Sequence, residues 1–430
     1  DMNKTIDPRM GEEVYHDRIG DGFDLWAVPR SLSRQKAVVL CVDFGSVDVQ
    51  LSALSTGRTM DLPPGTAHFI EHRLFEKNDG DISDRFNAVS GDVNASTSFT
   101  ATIFSLTCVD NFLANLDLLF ELVLDFEIST VGVDREREVI AREFNSGSDD
   151  PEWMGFMHGL RGLYGEVPIA LDMAGTAETI AAIDIDILRA AYGAFYRPQH
   201  MGLFLCGDFN YREIADSVEG NMRKYPCGET VWERTPRQFT FPALQTSAGL
   251  QLPINRPYSL FFFAEDRAVR TGRELLQREL AFELALDIAF GPASDFFAEH
   301  YGEGLNVGDD FGAEVYAEPN FCFCALGGYT EHGKRLAEVV EATLNRIEGQ
   351  VEGDFRRAKH KAYGQLVRSC EQVEEIADLL CSAVGNGAEP WDYFDVYEDI
   401  AVEHVQQALQ RCLSVGPMAS VHIQPKGLVG

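Results

Sequence analysis

The chain has 430 residues, 45% of them hydrophobic and 24% charged, which outgrows one ordinary core, suits two domains and excludes a disordered or fibrous protein. With 36 Lys and Arg against 68 Asp and Glu the formal net charge is −32, a surface that repels nucleic-acid phosphates and anionic membranes, so neither is expected as a partner. The nine cysteines are odd in number, form no Cys-x-x-Cys pair and sit mostly in apolar runs, so they read as reduced core thiols in a cytoplasmic protein. The N-terminus is polar with no apolar signal stretch, and the longest apolar runs, 37–42 and Tyr258–Ala264, have the length of strands rather than of membrane spans.

In chain order, the first expected elements are two strands, Phe23–Pro29 and 37–44, paired with one another. A helix follows over 66–77, after Pro63-Pro64-Gly65, with Thr66 as its expected N-cap because a hydroxyl can accept an orphan backbone N–H. Residues 81–89 form a second helix, and 94–108, rich in Thr, Ser, Phe and Ile, reads as one long strand. Apolar residues at helical spacing mark helices over 111–127, 134–145 and 185–196, and 201–205 is a strand closing at Gly207-Asp208. Pro and Gly without periodicity set 229–249 apart as a linker, leaving an N-terminal domain over 1–228 and a C-terminal domain over 250–430. The second half repeats the style of the first. Strand Tyr258–Ala264 precedes a helix over 275–289, a Gly-rich turn at 302–304 and a strand over 320–328. Helices over 333–348, 353–373 and 404–412 and a final strand over 419–423 complete it, so an α+β fold built twice is expected.

The chemistry is concentrated in His68-Phe69-Ile70-Glu71-His72. The two histidines are one helical turn apart, so both imidazoles leave the same face, which is the spacing that two ligands of one zinc ion need. Glu71 shares that face and can reach a water there without ligating the metal. The string is His-x-x-Glu-His, the reverse of the commoner zinc motif His-Glu-x-x-His. Catalytic zinc takes three protein ligands and keeps one position open, so a carboxylate should complete the pair. The helix over 134–145 offers Glu136 and Glu143, seven apart and therefore on one face, while Glu138 points elsewhere.

Together with Glu136-Arg137-Glu138-Val139-Ile140-Ala141-Arg142-Glu143, the motif resembles the insulinase, pitrilysin and mitochondrial-processing-peptidase family. The resemblance implies that His68, His72 and Glu143 hold one zinc ion per chain, that Glu71 is the general base and that Glu136 orients the site from behind a ligand. Residues 92–100 resemble the family's substrate-binding edge strand, which makes Asn94, Ala95, Ser96 and Thr97 the expected peptide-binding residues. Leu171-Asp172-Met173-Ala174-Gly175-Thr176 and the stretch from Tyr196-Arg197-Pro198 to Gly207-Asp208 match later landmarks. His72-Arg73-Leu74-Phe75-Glu76-Lys77 with Asp79-Gly80-Asp81 is similar to a bacterial half-size subgroup, and the second half matches more loosely, at Phe290-Gly291, Leu305 and Gly327-Gly328. The implied fold is two homologous α+β domains, each a mostly antiparallel sheet backed by helices, forming half of a four-domain clamshell. Its implied substrate is a peptide or unfolded segment enclosed between the halves.

One stretch departs from the family. Self-sufficient members carry an Arg and a Tyr that grip the substrate near the scissile bond. Here Tyr301 stands at the Arg position, Val307 falls near the Tyr position, and the stretch from Ser294 to Val307 is one residue short. Arg267 and Arg270 are the other candidates for the grip. The resemblance therefore implies the catalytic subunit of a heterodimeric zinc endopeptidase whose homologous partner supplies the Arg/Tyr pair. The alternatives are a protease that removes leaders from ribosomally made peptides, and a non-catalytic subunit with a vestigial zinc site. Intact Glu71 speaks against the last.

Overall fold

The computed structural model describes residues 3–6, 9, 11–147, 150–241, 246–265, 268–302, 305, 307–308, 310–347, 351–414 and 418–427. They fall into two compact units. The first comprises Asp1–Phe144, Asp172–Arg237 and Arg368–Gly385; the second comprises Asn145–Leu171, Gln238–Val367 and Asn386–Gly430.

The first unit holds a seven-stranded sheet in the order Asn3–Ile6, Glu13–Ile19, Phe23–Pro29, Met201–Gly207, Lys36–Val42, Thr102–Cys108, Gly91–Thr97. The second holds five strands in the order Ser247–Leu252, Ala419–Pro425, Tyr258–Ala264, Phe321–Tyr329, Gly312–Glu318. The last five strands of the first sheet and the five of the second share one topology. Counted along the chain, the first strand lies beside the fifth, then come the second, fourth and third. In both sheets the first and fifth are parallel and the other neighbours antiparallel. The fold is thus α+β with two mostly antiparallel sheets backed by helices.

Burial follows from what covers each strand. Met201–Gly207 is buried at every position and reads as an unbroken apolar run, as a strand packed on both faces must. On it and on Lys36–Val42 packs the helix Val373–Gly385, supplied from far along the chain. In the second unit Pro151–Tyr164 packs in the same way on Tyr258–Ala264 and Ala419–Pro425.

Four sequence expectations need correction. Phe23–Pro29 and Lys36–Val42 are not neighbours, because Met201–Gly207 lies between them, parallel to the first and antiparallel to the second. The stretch 94–108 is a hairpin of Gly91–Thr97 and Thr102–Cys108, whose turn is closed by Ser98 N–H donating to Ala101 O at 2.8 Å. Thr66 is not a cap. Gly65 holds that position with φ 95°, and the Thr66 hydroxyl donates to Pro63 O at 2.6 Å. The helix expected over 353–373 ends at Ser369, and a separate one begins at Val373.

Lys77 joins the end of the histidine-bearing helix to its surroundings. It is 7% exposed, and its ammonium donates to Glu121 O and Leu122 O, both at 3.1 Å, and to Asp125 O. Glu121 and Leu122 lie in the last turn of helix Phe112–Leu124, where Glu121 O also accepts Asp125 N–H at 3.0 Å and Leu122 O has no partner within the helix. Burial pulls the Lys77 pKa down to about 8. Lys77→Met should cost about 2–3 kcal/mol, because several carbonyls lose a charged donor at once. Chemical denaturation measures this, and an unchanged unfolding midpoint would reject it.

Candidate metal centre and active site

The histidine helix, Thr66–Phe75, starts where backbone approaches backbone. A Cβ on Gly65 would lie 2.8 Å from Ala174 O, and one on Gly175 would lie 2.6 Å from Pro64 O. The stretch 171–176 thus seats the first turn of this helix. Ala67, Phe69, Ile70 and Leu74 sink into the core and hold the helix by one side, leaving His68, Glu71 and His72 to line the other. The second helix, Thr130–Gly147, buries Val133 and Ile140, and Glu136 and Glu143 follow at helical spacing along the same side. Glu138 is exposed and stands apart.

The two helices bring His68, His72 and Glu143 together. Among the described residues this is the one group of three or more such side chains whose ligand atoms all lie within 4.8 Å of one another. The Nε2 atoms of His68 and His72 are 3.1 Å apart. Glu143 Oε2 is 3.5 Å from the His72 Nε2 and 4.0 Å from that of His68. On the far side of its ring, His72 Nδ1 meets Glu136 Oε1 at 3.0 Å. That bond favours the tautomer with its proton on Nδ1, leaving the Nε2 lone pair directed at His68. Two imidazole nitrogens and a carboxylate oxygen converging on one point, with one ring oriented by a second carboxylate, fit the donor set of a zinc ion.

The charges at the site are perturbed. Burial, then the neighbouring His72, drives the His68 pKa down to about 4, so its ring is neutral near pH 7. Burial also pulls His72 down, but the Glu136 hydrogen bond and the charges of Glu71, Glu136 and Glu143 outweigh it and leave His72 raised. Glu71 is 8% exposed, and burial raises its pKa against the opposing pull of a hydrogen bond from Thr97 Oγ1 to its Oε2, 2.8 Å long.

Gly91–Thr97, which carries the expected peptide-binding residues, is the edge of its sheet and packs on the histidine helix. Asn94 and Ser96 are exposed, whereas Ala95 and Thr97 are half-buried, so these four residues divide between two faces. In the second unit Tyr301 is exposed and Val307 is buried in the core. Arg270 faces Glu265 at 3.5 Å, while Arg267, Glu303, Gly304 and Asn306 lie outside the described residues.

Arg73 is a site residue that the sequence reading missed. It is buried directly after His72, is paired with Glu76 and donates to Glu127 O at 3.3 Å. A Cβ on Gly132 would lie 2.9 Å from its Nη2, so the guanidinium fills the space beneath the first turn of the Glu143 helix. A cation between apolar Ile70 and Leu74, with Glu76 three residues on, was the available signal.

The family pattern described as Insulinase (Peptidase family M16) matches residues 53–175, a span that holds His68, Glu71, His72, Thr97 and Glu143. A second pattern, described as Peptidase M16 inactive domain, matches residues 182–363. Over 428 residues the chain is 28% identical to YmfH of Bacillus subtilis (strain 168), named an uncharacterized zinc protease, across 99% of this chain and 100% of that one. A crystal structure of an M16-like peptidase from Alicyclobacillus acidocaldarius matches with a TM-score of 0.90 at 27% identity, over 96% of this chain and 98% of that one. The periplasmic protease PqqL of Escherichia coli shares the fold over 98% of this chain but only 48% of its own length, with a TM-score of 0.73 at 16% identity.

Proposed function

Because the chain belongs to the insulinase family of peptidases, in its half-size subgroup, we propose that it is a zinc-dependent endopeptidase and the catalytic subunit of a heterodimer. The observation that carries this reading is the convergence of His68, His72 and Glu143 on one point, with Glu71 buried beside them. Zinc bound there would polarise the scissile carbonyl and acidify a water molecule. Glu71 is then the group to take a proton from that water and return it to the leaving amine. A buried carboxylate with a raised pKa suits both directions of transfer. Glu136 keeps the His72 ring oriented. The free edge of Gly91–Thr97 holds the peptide by its main chain, with residues Asn94, Ala95, Ser96 and Thr97 along the contact.

The substrate is a peptide or unfolded segment enclosed between two half-size chains, and a net charge of −32 favours a cationic one. Removal of leaders from ribosomally made peptides is the same chemistry on a narrower substrate. Nine free cysteines fit a reducing cytoplasm, and among the described residues no helix is long and apolar enough to cross a membrane.

With Tyr301 at the Arg position and Val307 near the Tyr position, this chain lacks the Arg/Tyr grip, and the partner supplies it. The isolated chain should therefore turn peptides over weakly. A homologous subunit carrying an Arg/Tyr pair but no His-x-x-Glu-His should raise the rate by roughly 10²–10³, the effect of restoring one oxyanion donor. The test is zinc analysis with cleavage of an unstructured cationic peptide, with and without that subunit, after light scattering has fixed the oligomeric state. Rapid turnover by the monodisperse lone chain would refute the heterodimer.

A further inference from the structure

We infer that Thr97 is a positioning residue for Glu71 and not a peptide-binding side chain, so that the strand on which a peptide docks also sets the base. This rests on the peptidase reading above and deepens it.

Three observations carry it. The first is the hydrogen bond itself. Thr97 Oγ1 donates to Glu71 Oε2 at 2.8 Å, and among the described residues it is the one side-chain hydrogen bond that Glu71 makes. It occupies one carboxylate oxygen and leaves the other for proton transfer. The second is the direction of the side chains. Asn94 and Ser96 are exposed while Ala95 and Thr97 are half-buried on the alternate face, so Thr97 is turned toward the histidine helix by the pleat of the strand. Threonine is branched at Cβ and stiff at χ1, so a strand that holds its backbone also aims its hydroxyl.

The third is the direction of the backbone. Ser98 N–H donates to Ala101 O at 2.8 Å and Asn94 O accepts the Ser105 hydroxyl at 3.5 Å, so Asn94 and Ser98 face the paired strand, while Ala95 N–H donates to Asn94 Oδ1 at 2.9 Å. In an antiparallel strand the N–H and C=O of one residue point the same way, and successive residues alternate. Val93 and Thr97 therefore turn their N–H and C=O groups, and Ala95 its C=O, to the free edge, where a peptide would pair. Thr97 thus joins a main-chain contact for the peptide to a side-chain contact for the base. A peptide that orders the edge orders Glu71 with it.

The experiment compares Thr97→Val, which keeps the shape and removes the hydroxyl, with Thr97→Ser, which keeps the hydroxyl. Steady-state cleavage of one cationic peptide is measured in whichever composition, lone chain or heterodimer, turns it over. Thr97→Val is expected to lower kcat roughly 10- to 100-fold, as removing a hydrogen bond to a charged group would, with KM within about twofold and zinc content unchanged. Thr97→Ser is expected to recover kcat to within about threefold. Wild-type kcat in Thr97→Val, or a loss confined to KM, would overturn the inference. A second arm needs no activity. Thr97→Val should lower the Tm of the wild-type chain and leave that of Glu71→Ala unchanged, and additive shifts would overturn the pairing. Glu71→Gln separates the two failures. If it is inert while Thr97→Val keeps the wild-type kcat, the role of Thr97 falls alone; if it cleaves at the wild-type rate, the assignment of Glu71 as the base falls first.

Discussion

Glu71→Gln is expected to bind zinc as the wild-type chain does and to lose peptide turnover by about 10²–10⁴-fold, the usual contribution of a general base. Glutamine has the same shape, and its carbonyl oxygen can still accept the Thr97 hydroxyl that meets Glu71 Oε2 at 2.8 Å. Packing around this buried position and the hydrogen bond to the edge strand both survive, and only the capacity to take a proton is removed. Glu71 is not one of the three side chains whose donor atoms converge, so the metal has no reason to leave. Zinc analysis with single-turnover cleavage reads both halves of the expectation. Cleavage at the wild-type rate would assign the base to another residue.

Replacing His68 and His72 together by Ala is expected to take zinc from about one ion per chain to a background level. A lone carboxylate, 54% exposed, cannot compete with water for the metal once both imidazoles have gone. The single change Glu136→Gln tests the orienting bond at 3.0 Å and should weaken zinc binding by about 10- to 100-fold without abolishing it, since it touches His72 and not the metal. Elemental analysis after exhaustive dialysis and titration against a competing chelator would measure both. Equal zinc in wild type and in the double histidine variant would remove the metal centre from this cluster.

The part of the site that the sequence displays is the part made by one helix. His68 and His72 share a face because the α-helix has 3.6 residues per turn, and that holds wherever the helix lies. Glu136 and Glu143 share a face for the same reason, so a pair of candidate carboxylates is also visible in the chain. That Glu143 reaches His72 at 3.5 Å while Glu136 takes the other side of the same ring is a property of two helices in contact. The sequence alone points to it only through resemblance. Thr97 shows the same limit. Alternation along the strand puts it on the buried face, but its partner Glu71 belongs to another element and is chosen by packing.

Strand partners were the least legible feature. Phe23–Pro29 and Lys36–Val42 look like consecutive neighbours, yet Met201–Gly207 enters between them, and nothing in the two strands' own residues excludes the simpler pairing. The turn that divides 94–108 carries no Pro or Gly. It is closed by Ser98, whose hydroxyl donates to Ala101 O at 3.0 Å, and it is pressed against Gly45, where a Cβ would lie 2.4 Å from Phe99 O. The chain by itself determined the helix faces, and with them that His68, Glu71 and His72 share one, because those are fixed by hydrogen bonds that close within a few residues. Tertiary structure alone decided which strands pair, which distant helix covers each sheet and which oxygen meets which ring. Those contacts join groups up to hundreds of residues apart, and shape and burial choose them from many partners of equal local merit.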